Sequence, residues 1–433
     1  MIERFHRLLL VAAALAHCAL GAPNPVAPGR RGSVMDDIDI GALLERSLLS
    51  TGNTARLQRA MAKARRGEPV TVGVIGGSIT QGAKAGTAAQ RYGNLVAEWW
   101  RAAFATSDVT FVNAGVGGTG SNYGCLRAGH DLLQHEPDVV VVEFGVNDSG
   151  AQERSLPTLE GLVRQILTRP KQPAVLLLFM MTSKQRTMPG VPEMAMPGAK
   201  LPEAGIVHGL NVQCWHRLVG EHYGLPMISF RDAVWPEIEA GHWTWEDVIA
   251  DAVHPNDLGH RIAADCVIRF LEGVRVNLPE DAGLPEIRPI PPPRFSSRFE
   301  HVGYVRAEDL NPVSNDGWRL EKGDWHGQWW ICRRPGAAVE FEFEGTGVVA
   351  VLCLAKEHMG VARFRVDDGP WQRQKGWHGR QWDRLVVVKD LADGLAPGRH
   401  TLRIEMTDEK DPDGDSFEFR IHAVAATGVQ ARP

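Results

Sequence analysis

Thr71-Val72-Gly73-Val74-Ile75-Gly76-Gly77-Ser78-Ile79-Thr80 is the stretch that decides the fold. Its first five residues are almost continuously apolar, as a strand buried on both faces of a parallel sheet must be. The two glycines before Ser78 permit a sharp turn that exposes the hydroxyl and lets another molecule approach the main chain closely. A serine so placed stands at the C-terminal edge of a sheet, where open α/β sheets receive their ligands. Taken alone, Gly-Gly-Ser serves equally as an anion-binding or a purely structural turn.

Outward from this stretch the pattern repeats. Residues 109–113, 139–143, 174–180 and 226–229 are further apolar strand candidates, and residues 54–65, 92–104, 159–168, 203–222 and 257–272 carry helical apolar spacing. The alternation over 30–278 predicts an α/β domain with a parallel sheet covered by helices on both faces. Pro279, Pro285, Pro289, Pro291, Pro292 and Pro293 then mark 279–294 as an extended linker. Beyond it, 339–343, 348–354, 362–366, 385–388, 400–406 and 417–423 are short β-prone runs separated by turn residues such as Asp367-Asp368-Gly369. They predict an antiparallel β-sandwich over 295–433.

A length of 433 residues agrees with two folded domains, because one hydrophobic core rarely organises so long a chain. With 44% hydrophobic and 23% charged residues the composition is that of a globular protein, which excludes a largely disordered or fibrous chain. A net charge of −5 with dispersed basic residues provides no clustered cationic face and argues against nucleic acid as a partner. Arg4, His6 and Arg7, an apolar run from Leu8 to Leu20, and small residues after it have the layout of a secretory signal over 1–21. That run is shorter than the roughly 20 residues that span a bilayer. A secreted mature chain, periplasmic or extracellular, without an integral membrane segment is therefore expected. His17 in place of a small residue before Cys18 argues against lipid attachment. Cys125, Cys214, Cys266, Cys332 and Cys353 remain in the mature chain, an odd number without metal-ligand spacing. Cys332 and Cys353 could pair, or all could be buried small apolar residues.

Three further stretches bear chemistry. Asn113-Ala114-Gly115-Val116-Gly117-Gly118-Thr119-Gly120-Ser121 follows the second strand, and its backbone amides could stabilise an oxyanion. A phosphate-cradling nest is the alternative, disfavoured because neither a Lys-Ser/Thr ending nor a dinucleotide fingerprint is present. Phe144-Gly145-Val146-Asn147-Asp148 follows the third strand, where Asn147 could donate to the same oxyanion or the pair could simply cap a helix. Asp251-Ala252-Val253-His254 sets a carboxylate and an imidazole three residues apart, close enough to bond. A metal at Asp251 and His254 would need further ligands, and His208, His216 and His222 offer no convincing set.

Serine, glycine, asparagine and Asp-x-x-His thus follow successive strands and would converge on one sheet edge. The four blocks resemble those of the SGNH (GDSL-like) hydrolases, a superfamily of esterases, lipases and carbohydrate-deacetylating enzymes, over about 71–271. The resemblance implies a flavodoxin-like three-layer α/β/α fold. It also implies Ser78 as nucleophile, His254 as base, Asp251 as its acid partner, and an oxyanion hole built from Ser78, Gly118 and Asn147, with no metal or organic cofactor. One position departs from the family, which usually has Asp before the serine where this chain has Gly77.

The residues flanking the site narrow the substrate. Residues 182–201 hold Lys184, Gln185, Arg186 and Lys200 amid Met188, Met194 and Met196, and would lie over the cleft as a substrate-facing flap or serve as an exposed connector. Trp318, Trp325, Trp329, Trp330, Trp371, Trp377 and Trp382 crowd the C-terminal domain, most of them expected in its core. That domain resembles the jelly-roll accessory modules found beside carbohydrate esterases. An acylated carbohydrate is the expected substrate, with O-acetyl groups on polysaccharide favoured. The alternatives are a lipase, lysophospholipase or thioesterase of the same superfamily, or a non-catalytic carbohydrate-binding protein.

Overall fold

The computed structural model describes residues 35, 38–148, 152–183, 210–323, 327–379 and 383–428. The segment 1–21, the flap residues 184–201, Trp325 and Trp382 lie outside the described residues. The chain divides into two units, Met1–Ile38 and Asp39–Pro433, and the described helices and strands belong to the second.

Six strands form the first sheet: β1 (Leu48–Ser50), β2 (Val70–Gly76), β3 (Val109–Gly115), β4 (Val139–Glu143), β5 (Ala174–Phe179) and β6 (Met227–Ser229). Their order is β1-β6-β5-β4-β2-β3, with β2 to β6 parallel and the edge strand β1 antiparallel. The expected strands are all present; β1 is too short and too exposed to leave an apolar run. Helices α1 (Ile40–Arg46), α2 (Ala55–Arg65), α3 (Ser78–Gln81), α4 (Tyr92–Ala103), α5 (Ser121–Asp131), α6 (Gln152–Leu167), α7 (Leu210–Tyr223), α8 (Phe230–Glu239), α9 (Trp245–Val248) and α10 (Asp257–Val276) connect them. Packing sets α2 and α4 with α10 against one face, and α5, α6 and α7 against the other. No described helix is long and apolar enough to cross a membrane.

The C-terminal part is a sandwich of two antiparallel sheets. One contains β7 (Val302–Arg306), β9 (Arg319–Lys322), β10 (Gln328–Cys332), β12 (Gly347–Ala355), β15 (Arg384–Ala392) and β17 (Phe419–Thr427). The other contains β8 (Ser314–Asp316), β11 (Ala338–Gly345), β13 (Gly360–Val366), β14 (Gln372–Lys375) and β16 (Gly398–Lys410). Side chains alternate between the inter-sheet core, which holds Trp330, Phe341, Val348, Phe364 and Phe419, and the outer faces. Trp318, Trp329 and Trp330 are buried, whereas Trp371 and Trp377 are half-buried and covered by Arg363, Arg365 and Lys375. Cys332 faces the inter-sheet core and Cys353 the opposite face beside Trp329 and Ile331, which rules out a bridge between them. All five described cysteines are buried, in keeping with small apolar residues.

The two parts share a core. Val349, Val351, Ala423 and Ala425 of the sandwich pack with Tyr123, Leu126, Leu159 and Leu162 of α5 and α6. The proline-rich segment is strapped down rather than a free spacer. The Glu160 carboxylate on α6 is fully buried and accepts the backbone N–H groups of Arg294, Phe295 and Ser296, each at 2.7 Å. Arg164, one turn on, donates to Pro291 O at 2.6 Å and pairs with Glu300 at 2.7 Å. Proline forbids helix and sheet here, but its neighbours' N–H groups still require acceptors, and Glu160 provides them.

Candidate active site

Ser78 opens α3 directly after β2. The chain enters through Gly77 (φ −88°, ψ −148°) and leaves through Gly82, whose φ of +100° ends the helix after a single turn. The serine is half-buried. Its Oγ lies 2.8 Å from Nε2 of His254, and Nδ1 of the same ring lies 2.8 Å from Oδ2 of Asp251.

Asp251 also organises its own loop. Its Oδ1 accepts the backbone N–H groups of Val253 and His254, both at 2.9 Å, so one carboxylate fixes the ring and the backbone that carries it. Burial pushes this carboxyl up, but the hydrogen bonds from His254 and from the two backbone groups outweigh it and hold it below the ordinary range. Trp245 on α9 donates from Nε1 to Asp251 O at 2.7 Å, and the bridge between Ile249 and Pro255 closes the base of the loop. Asn256 caps α10 by accepting from Gly259 N at 3.0 Å.

The glycine loop after β3 lies beside the serine. Gly117 N is bonded to Gln81 Oε1 at 3.0 Å, while Gly118 has φ +72° and open space where a side chain would begin. A side chain at Gly118 would be strained, whatever the space beside it. Asn147, after β4, reaches over Gly77 with its buried Oδ1. Its neighbour Asp148 caps a helix, as Asn-Asp pairs commonly do, but that helix is α5. Its Oδ1 accepts Ser121 N at 2.6 Å, and its Oδ2 bonds to His216 Nε2 at 2.9 Å.

Several supporting residues left no sequence signal. Asn113 Nδ2 donates to Thr80 O at 2.9 Å, and the Thr80 hydroxyl bonds to Tyr92 OH at 2.9 Å and donates to Glu143 Oε2 at 3.3 Å. Burial pushes the Glu143 carboxyl up to about 8. On α10, His260 Nε2 bonds to Ala83 O at 3.1 Å, and Asp257 accepts Gly86 N at 2.7 Å. These two contacts hold the helix that follows His254 against the turn that carries Ser78. Each such residue bonds to a partner far away in sequence, so no local pattern reports it.

Among the parallel strands the spatial order is β3-β2-β4-β5-β6, so the connections reverse direction between β2 and β4. This is the switch point at which doubly wound sheets open a crevice. Ser78 leaves one of those strands and Asn147 the other. Residues 74–262 match the GDSL-like Lipase/Acylhydrolase family, and the chain carries a GDSL-like (SGNH) hydrolase domain, of the class that acts on esters, followed by an antiparallel β domain. The crystal structure of a two-domain esterase (CEX) active on acetylated mannans is similar over both parts. Its identity is 28% and its TM-score 0.75, with 90% of this chain and 99% of that chain covered. The same esterase co-crystallized with mannopentaose matches at 27% identity, TM-score 0.75 and the same coverage. No curated relative matches the sequence.

Proposed function

We propose that the protein is a secreted serine esterase that removes O-acyl groups, O-acetyl above all, from polysaccharides through an acyl-serine intermediate. The observation that carries this reading is the continuous line from Asp251 Oδ2 through His254 to Ser78 Oγ, with both contacts at 2.8 Å. His254 Nε2 takes the Ser78 proton as Oγ attacks the ester carbonyl, then gives it to the departing sugar oxygen. In the second half it draws a proton from water, whose oxygen attacks the acyl carbon, and returns that proton to the departing Ser78 Oγ as the acid is released. Asp251 keeps the proton of the neutral ring on Nδ1, so that Nε2 is the basic nitrogen. The main-chain N–H groups of Ser78 and Gly118 and the amide of Asn147 form the oxyanion hole.

Similarity across both parts to an esterase active on acetylated mannans supports acetylated polysaccharide as the substrate class, with mannan the first to test. The charged, apolar and small-residue layout of 1–21 supports export. The test is a fluorophosphonate label together with acetate release from acetylated mannan and xylan. Wild type should label at Ser78 and release acetate, and S78A should do neither. Hydrolysis of p-nitrophenyl octanoate in preference to the acetate would replace the acetyl reading with a lipase-like one, and an unlabelled wild type would leave a binding protein.

A further inference from the structure

Arg127 lies on α5 with its side chain 1% exposed, and it binds two backbone carbonyls at once. Its Nη1 donates to Ala114 O at 2.7 Å and its Nη2 to Gly76 O at 3.1 Å. Gly76 ends β2 immediately before Gly77-Ser78, and Ala114 lies at the end of β3 before the loop that leads to Gly118. One guanidinium therefore ties together the roots of the serine turn and the glycine loop. Charge-assisted bonds of this kind are stronger and shorter than neutral ones, and the planar fork fixes the spacing of its two acceptors.

The guanidinium is itself held. Asp131 Oδ2 accepts from Nη1 at 2.8 Å, and Cζ lies 5.4 Å from the centre of the Tyr123 ring, one turn earlier on α5. The Tyr123 hydroxyl is bonded at 3.1 Å to the hydroxyl of Tyr304, which belongs to β7 of the sandwich. His422 of β17 meets the same ring at 6.3 Å. A path thus runs from the half-buried Tyr304 of the sandwich through the buried Tyr123 and Arg127 to the residue that precedes the Gly77-Ser78 turn.

We propose that Arg127 is a positioning residue for the reaction at Ser78, and that the β-sandwich sets its place through Tyr304 and Tyr123. The inference rests on the reading of Ser78 as nucleophile. Arg127 moves no proton and touches no substrate. It fixes the distance between the main chain of Ser78 and that of Gly118, whose N–H groups are aimed at an oxygen that becomes anionic only in the transition state. Displacing such donors weakens transition-state binding and leaves the ground state nearly untouched. The sandwich is then a working part of the hydrolase as well as a neighbour to it.

The test uses the full chain and p-nitrophenyl acetate, with melting temperature measured for every variant. R127K keeps the charge but loses the fork, and kcat should fall about 100-fold with KM within about two-fold, the scale of a 1 Å misplacement. Y304F removes one oxygen on the sandwich side. Its kcat should fall about three-fold at unchanged KM, and the fluorophosphonate labelling rate should fall in parallel. The double variant should lose less than the product of the two single losses. A folded Y304F with wild-type kcat and labelling rate would overturn the proposal, as would losses confined to KM. Y304F retains its ring and packing, so it remains informative if R127K fails to fold. A wild type that labels but whose Y304F is unaffected defeats this inference alone, whereas a wild type that never labels defeats the esterase reading.

Discussion

A Cβ built on Gly77 would stand 2.1 Å from Oδ1 of Asn147. Glycine at 77 therefore lets the Asn147 amide oxygen rest against the serine turn, and a side chain there would require that flexible end to shift. N147A should lower kcat by about 100-fold to 1,000-fold, the range for losing one oxyanion donor, and G77A should cost less, because the amide can shift without being lost. G77A combined with N147A should be no worse than N147A alone, because the group displaced is already absent. An N147A enzyme with wild-type kcat would show that this amide is no oxyanion donor.

Asp251 is joined to the His254 ring by a single bond to Nδ1 while its other oxygen holds the backbone N–H groups of Val253 and His254. D251N can keep the backbone bonds, but its amide would donate toward Nδ1 and reverse the tautomer, leaving a proton on the nitrogen that faces Ser78. A loss of about 1,000-fold to 10,000-fold in kcat at pH 7 is expected, with the loop intact. Steady-state kinetics checks the first point and the melting temperature the second.

Glu143 is buried and keeps its proton up to about 8, whereas the same group in the unfolded chain releases it near 4.5. Between those values the folded state holds the extra proton, so stability should fall as pH rises from 4.5 and level off above about 8. E143Q is neutral at every pH and nearly the same shape, so this slope should disappear. Urea midpoints at pH 5, 7 and 9 measure it; an unchanged slope in E143Q would assign the pH dependence to other groups.

Glu160 satisfies three backbone N–H groups, those of Arg294, Phe295 and Ser296, where the proline-rich segment enters the sandwich, and accepts the Tyr223 hydroxyl at 2.8 Å. E160A leaves these donors without an acceptor in a buried place and should cost at least about 3 kcal/mol. Denaturant unfolding reads the cost directly. A wild-type midpoint would mean that the segment is held by other contacts.

The parallel strands were legible because a doubly buried strand leaves an unbroken apolar run, as in Val139 to Glu143. Ser78 and Asn147 were legible because each follows such a run, whereas Asp251 and His254 lie in the loop between α9 and α10 and were legible from their three-residue spacing. Helix α5 was not, since Gly124 and Gly129 interrupt its periodicity; Gly124 is there because a Cβ would meet the Phe144 ring at 2.4 Å. Strands β8 and β9 are largely exposed and carry no apolar alternation. Arg127, Glu143 and Glu160 escaped notice for a common reason. Each is a charged residue type that sequence reasoning assigns to the surface, and its burial is compensated by distant main-chain groups or hydroxyls.

The two bonds of the reacting line differ in kind. Asp251 and His254 share one short loop, closed at its base and braced by Trp245. Ser78 is 176 residues away from His254, and between them α10 is clasped to the segment after the serine turn by His260 and Asp257. Warming that loosens those two clasps would separate alcohol from imidazole while every helix and strand persisted. Heat inactivation should thus precede the loss of circular dichroism and reverse on cooling, the behaviour of a latch slipping within an intact frame.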